Sequence, residues 1–77
     1  MILASALQCI AIAEKRSRNG AAMQSSAILC LEEARNLLAP GRCLLAAQWA
    51  LRSLSYSVGF FSPDYNEVLA ITKEGNP

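Results

Sequence analysis

The chain has 77 residues and a formal net charge of +1; 53% of its residues are hydrophobic and 17% are charged. This length fits one domain over residues 1–77, and the near-neutral charge lacks the positive field that draws proteins to nucleic acid or acidic membranes. The charged fraction lies below the roughly 25% that is usual in globular domains. A small core does not need so much apolar material, so we expect a protein partner or self-association. An alanine-rich helical monomer is the alternative.

The three cysteines and the absence of histidine limit the chemistry that this chain can do. Cys9, Cys30 and Cys43 are odd in number and include no CxxC pair, which argues against a disulfide framework and a zinc site. They fall on apolar or small-residue faces of predicted helices, so we expect buried, reduced thiols and a cytoplasmic setting. With no histidine base and no phosphate-binding or nucleophile motif, the sequence predicts no enzymatic activity, cofactor, metal or small-molecule substrate.

The first predicted helix begins at about Ile2 or Ser5 and ends at Ser17. A start at Ser5 would fit a capping-box pattern, and the Asn19–Gly20 pair is a helix-ending signal. Residues at helical spacing are expected to form the apolar face: Leu3, Ala6, Leu7, Ile10 and Ala13. Polar residues interrupt the apolar run before it could span a bilayer, so no membrane association is predicted.

The second predicted helix runs from about Ala22 to Leu38 and has the most regular amphipathic pattern in the chain. Its apolar stripe is expected to comprise Met23, Ala27, Cys30 or Leu31, Ala34, and Leu37 or Leu38. The Pro40–Gly41 pair then ends the helix, because proline disfavours helical geometry at the residue before it. The turn is short, so the second and third helices are predicted to be antiparallel neighbours.

The third predicted helix, Gly41–Gly59, is apolar on nearly every side. One stripe has the pattern of an ordinary core face: Leu44, Ala47, Leu51, Leu54 and Val58. A second stripe of small side chains is expected to let the second helix approach closely: Cys43, Ala46, Ala50, Ser53 and Ser57. The third stripe is Leu45, Trp49, Arg52 and Tyr56. Plainly polar residues are limited to Gln48 and Ser55.

Phe60 and Phe61 precede a short fourth helix, predicted from about Pro63 to Lys73. Ser62 is a favoured N-cap residue and proline is favoured at the first helical position. Residues 74–77 are expected to form a frayed tail, and the inner side of the helix is expected to hold Tyr65, Val68, Leu69 and Thr72. No strand pattern is present. The sequence therefore predicts an all-α fold, a small antiparallel bundle of three helices plus a short C-terminal fourth helix.

The third stripe of the third helix has no obvious partner within the chain. Tryptophan, tyrosine and arginine are the residues most enriched at the energetic centres of protein interfaces. The candidate protein-binding residues are therefore Leu45, Trp49, Arg52, Tyr56, Phe60, Phe61 and Tyr65. Trp49 is open to a core role as well as to an interface role.

We therefore expect a non-enzymatic protein–protein interaction module, a small helical adaptor, chaperone or inhibitor that binds a larger protein. A subunit of a homodimeric helical bundle is the first alternative. A nucleic-acid-binding helix-turn-helix regulator is the second. The third helix argues against this second alternative, because it presents Leu44, Leu45 and Trp49 where a recognition helix needs polar and basic groups.

Small residues are spaced in a distinctive order around the predicted turn: Ala34, Gly41, Ala46 and Ser53. In this spacing the hairpin from Cys30 to Ser57 resembles a tetratricopeptide repeat. Three positions depart from the repeat pattern, which has an apolar residue, a bulky residue and a proline where this chain has Glu33, Ala50 and Val58. The resemblance implies a scaffold that binds peptides or helices without catalysis. No second copy follows, so a solenoid is not predicted.

Overall fold

The computed structural model describes residues 1–17 and 24–74, which form helices around one core. The helices are α1 (Leu3–Ser17), α2 (Gln24–Asn36), α3 (Cys43–Ser57) and α4 (Pro63–Glu74). The described residues contain no strand, and the predicted all-α bundle is confirmed. Among the same residues, no helix combines the length and apolarity that crossing a bilayer requires. The signals predicted at residues 19–20, the predicted start and first apolar residue of α2 at 22–23, and residues 75–77 lie outside the described residues.

The third helix, α3, lies at the centre of the bundle. It contacts α1, α2 and α4, and its contact with α2 is the most extensive in the fold. The first helix also contacts each of the others, whereas α2 and α4 do not contact one another. Part of the surface of α3 is therefore left open between α2 and α4.

The most deeply buried face of α3 is its stripe of small side chains. Ala46, Ala50 and Ser53 are completely buried. The hydroxyl of Ser53 donates a hydrogen bond of 2.8 Å to the carbonyl oxygen of Ala27 in α2, across 26 residues that are centred on Pro40. In an antiparallel helical hairpin, residues that lie equally far from the turn on either side face each other, and this contact fits that arrangement. The prediction that small residues let α2 approach α3 closely is confirmed.

The predicted core stripe of α3 is less buried than its small-residue stripe. Ala47 and Leu54 lie in the core, and Leu51 is half-buried against it. Leu44 is also half-buried, and Val58 is 37% exposed. The prediction was wrong for Val58, because the helix ends before this residue and because α2 packs on the neighbouring small face.

The buried face of α1 also differs from the prediction. Leu3 and Leu7, which were expected in the core, are each 48% exposed, while smaller neighbours are buried. Short side chains let helix axes come close, and the orientation that buries them turns the two leucines outward. The helix begins at Leu3, so the alternative start at Ser5 was also wrong. The buried residues of α1 are Ala6, Cys9, Ile10, Ala13 and Ser17.

A tight turn joins α2 to α3. The amide of Arg42 donates a hydrogen bond of 3.0 Å to the carbonyl oxygen of Ala39. Pro40 and Gly41 occupy the central positions, and Gly41 has φ of 86°. This combination is typical of a type II turn, in which the third residue needs a positive φ. The second helix ends at Asn36, earlier than predicted, because the chain leaves helical geometry before the proline rather than at it.

The start of α4 is as predicted. The hydroxyl oxygen of Ser62 accepts a hydrogen bond of 3.1 Å from the amide of Tyr65, which is the geometry of an N-cap. Pro63 is the first helical residue, and Asp64 lies in the first turn, where the helix dipole favours a carboxylate. The predicted inner residues are buried or half-buried: Tyr65, Val68, Leu69 and Thr72.

Salt bridges join α1 to both of the flanking helices. Arg16 pairs with Asp64 of α4, and Glu14 pairs with Arg35 of α2. These side chains are partly exposed, so each pair contributes roughly 0–1 kcal/mol.

We predict that Ala50→Leu destabilises the fold by about 1–3 kcal/mol, because the added side chain must force apart elements that are packed on a completely buried position. Ala70→Leu is the matched control, since Ala70 is exposed on α4, and it should change stability by less than about 0.5 kcal/mol. Urea unfolding followed by circular dichroism measures both. Equal effects of the two substitutions would contradict close packing around Ala50.

Gly59 lies just after the end of α3 and has φ of 85°, and its amide donates a hydrogen bond of 3.1 Å to the carbonyl oxygen of Leu54. An added Cβ would meet open space, so any penalty arises from the backbone conformation alone. We predict that Gly59→Ala destabilises the fold by about 1–2 kcal/mol. Gly59→Asn should cost less, because asparagine tolerates positive φ better. Thermal unfolding compares the variants, and an alanine variant as stable as wild type would refute this account.

Candidate protein-binding groove

An open groove of about 550 Å³ lies along α3 where it meets the start of α4. Residues from α3, from the connector and from α4 line it: Gln48, Leu51, Arg52, Ser55, Tyr56, Phe60 and Tyr65. A second depression of about 240 Å³ adjoins it and is lined by Leu45, Gln48, Trp49 and Arg52. The two depressions share Gln48 and Arg52, so they form one continuous surface, here called the α3–α4 groove.

The α3–α4 groove brings together most of the candidate residues. Leu45, Trp49, Arg52 and Tyr56 follow helical spacing along α3, and the reversal of the chain at Gly59 adds two more from the connector and α4, Phe60 and Tyr65. Phe61 is the exception, because it lines neither depression and is 96% exposed. The structure therefore separates the adjacent phenylalanines into one groove residue and one residue outside the groove.

Three groove residues were not among the candidates. Gln48 and Ser55 were noted in the sequence as the polar strip of the third helix, and Leu51 was assigned to its core stripe. Gln48 and Ser55 line the groove because they lie on α3 between its third stripe and its core stripe, and Leu51 lines the groove from the core stripe. The available signal for these residues was the position of the polar strip, which is narrow and has an apolar stripe on each side.

Trp49 contacts both the core and a groove residue. Its side chain is half-buried and packs against the core. The guanidinium carbon of Arg52 lies 5.3 Å from the centroid of the indole ring, which is within the range of a cation–π interaction. The core and interface roles considered for Trp49 are therefore compatible, because the side chain packs on the core and also lines the groove.

The connector end of the groove is held by an aromatic pair. The ring centroids of Phe60 and Tyr65 are 5.3 Å apart, and their planes make an angle of 75°. This edge-to-face geometry is a favoured arrangement for aromatic side chains. The N-cap at Ser62 fixes the start of α4 and thereby the position of Tyr65. The Ser62 cap thus supports the α4 side of this aromatic pair.

The cysteines lie apart from the groove lining and are all buried as free thiols. Burial raises the pKa of Cys9 to about 11, and the negative charge of Glu67 adds to this rise. Burial also raises the pKa of Cys30, while the positive charge of Arg52 acts in the opposite direction. The predicted burial of the thiols is confirmed. Among the described residues, no three Cys, Asp or Glu side chains are grouped as metal ligands.

No protein-family model, curated protein or solved structure matches this chain. The groove residues provide a large aromatic and apolar area, hydroxyl and amide groups, and one guanidinium. Such a surface suits recognition of another chain, with the aromatic rings supplying contact area and the polar groups supplying orientation.

We predict a specific pH dependence from Cys9. Because its pKa is raised from about 9 to about 11 in the folded protein, its contribution to stability is complete below pH 9 and is lost as the pH rises through 11. A shift of this size corresponds to roughly 3 kcal/mol. Urea unfolding in the presence of a reductant, over this pH range, measures the loss. The Cys9→Ala variant is the control for lysine and tyrosine titration, and pH slopes equal to wild type would contradict the prediction.

Proposed function

We propose that this protein is a non-enzymatic interaction module, a small helical adaptor, chaperone or inhibitor that binds a segment of a larger protein in the α3–α4 groove. The observation that carries this proposal is the continuous surface shared by Trp49, Arg52, Tyr56, Phe60 and Tyr65. Residues of these types dominate binding energy in protein interfaces when they cluster in one patch. A cytoplasmic setting is part of the proposal, since the buried thiols suit a reducing compartment.

The groove is suited to binding because its side chains are already held in place. Trp49 packs against the core, Arg52 lies over the Trp49 ring, and Phe60 packs edge-to-face on Tyr65. A partner that binds such side chains loses little of its binding energy to ordering them. The resemblance of the Cys30–Ser57 hairpin to a tetratricopeptide repeat supports the same class of function, since that repeat serves as a peptide-binding scaffold.

Self-association is the second candidate, and the apolar surface outside the groove favours it. Phe61 and Leu29 are both highly exposed, and they lie on the connector and on α2. A homodimeric helical bundle would cover such residues. Sedimentation of the pure chain at micromolar concentration tests this alternative directly, and a strict monomer would remove it. A helix-turn-helix regulator has less support, because Arg52 is the one basic residue within α3.

We predict that Phe60→Ala weakens capture of the native partner by at least about 10-fold, because it removes an aromatic wall of the groove. Phe61→Ala is a closely matched control: it deletes the same side chain one position away, outside the groove. The measurement is affinity capture from the native cell with the tagged full chain, followed by titration of the purified partner. Wild-type binding by Phe60→Ala would argue against the groove as the binding site.

The two phenylalanine variants are preferred to Trp49→Ala for this test. Trp49 packs against the core, so its loss would weaken both the groove and the fold. Phe60 is 62% exposed, so its loss should leave helical circular dichroism and the unfolding midpoint close to wild type. A variant that binds weakly and is also unfolded would not count as evidence for the groove.

A further inference from the structure

Among the described residues that line the α3–α4 groove, Arg52 is the one that carries a charge. It belongs to both depressions, and therefore lies where they join. The remaining lining residues are apolar, aromatic or uncharged polar side chains. The described lining of the groove is therefore a largely apolar surface with a single positive charge.

Unlike Arg16 and Arg35, Arg52 forms no salt bridge with a described residue. Each of those arginines forms a salt bridge with a carboxylate on another helix. Among the described residues, no carboxylate lies within salt-bridge distance of Arg52. Its guanidinium carbon instead lies over the ring of Trp49, 5.3 Å from the centroid. This cation–π contact leaves N–H donors of the guanidinium available to an anion.

This arrangement prepares Arg52 to bind a carboxylate. The ring of Trp49, fixed by its core contact, restricts the guanidinium before any partner arrives. The planar fork of N–H donors matches the two oxygens of a carboxylate. The groove on either side supplies apolar contact, through Leu45 and Trp49 in one depression and through Leu51, Tyr56 and Phe60 in the other.

We propose, on the basis of the function proposed above, that the partner segment carries an Asp or Glu side chain flanked by apolar residues, and that this carboxylate pairs with Arg52. The flanking apolar side chains occupy the two depressions. The charge gives the groove its selectivity, because a basic segment would bring a second positive charge to Arg52 within an apolar surface.

Phosphate groups of nucleic acid also bind arginine, but the groove does not suit them. Nucleic-acid binding depends on several cations that follow the phosphate backbone. This groove supplies one cation between aromatic and aliphatic walls, and the net charge of the chain is +1. An acidic, apolar protein segment matches both the charge and the walls.

Selection from a phage library of random short peptides, with the full chain as bait, tests this proposal. We expect the selected peptides to be enriched in Asp or Glu flanked by apolar residues. The consensus peptide should bind Arg52→Gln about 10- to 100-fold more weakly than wild type. Arg42→Gln is the matched control, because it removes the same charge from an exposed residue outside the groove. It should bind with the affinity of wild type.

The remaining outcomes separate this inference from the proposed function. Selected peptides that lose affinity for Phe60→Ala but contain no acidic residue would overturn the carboxylate proposal and leave the groove as a binding site. Peptides whose affinity is unchanged by both Phe60→Ala and Arg52→Gln would overturn both. Loss of self-association or of DNA retention in Arg52→Gln, without enrichment of acidic peptides, would assign the charge to a second copy or to phosphate and also overturn the proposal.

Discussion

The close approach of α2 to α3 is the constraint on which the rest of the structure depends. Completely buried alanines and Ser53 form the contact face of α3, and the hydroxyl of Ser53 reaches the backbone of α2. A hydrogen bond from a side chain this short requires the two helices to be nearly in van der Waals contact. Because small residues occupy this face, the larger side chains of α3 lie on its other sides. The aromatic groove is therefore a geometric consequence of how the hairpin packs.

Helix positions were predictable where the signals are local. Ser62 and Pro63 identify the start of α4, and Pro40–Gly41 identifies the turn, because capping and proline geometry depend on few residues. The faces of α1 were less predictable. Leu3 and Leu7 have the hydrophobicity of core residues. The helix instead packs through alanine and cysteine, because these short side chains let the helix axes come close, and this close approach decides which face is buried. The periodicity of apolar residues cannot show whether hydrophobicity or close approach of the helix axes decides the buried face.

The groove was partly predictable for a similar reason. The spacing of Leu45, Trp49, Arg52 and Tyr56 places them on one side of a helix, whatever that helix contacts. The sequence could not show that α2 and α4 leave this side open, since that depends on which helices meet across the bundle. The separation of Phe60 from Phe61 likewise depends on the conformation of the connector after Gly59. Local pattern thus located the surface, and tertiary contacts defined its limits.

One face of α3 packs against α2 and another lines the groove, and this separation affects how the binding preference of the protein could change in evolution. Substitutions at Leu45, Gln48 or Ser55 would alter the groove while leaving the buried alanine face untouched, since these positions lie on different sides of the helix. The hairpin packing and the recognition surface can then evolve almost independently within a single helix. A chain of this size could acquire a new binding preference without first acquiring extra stability to tolerate the change.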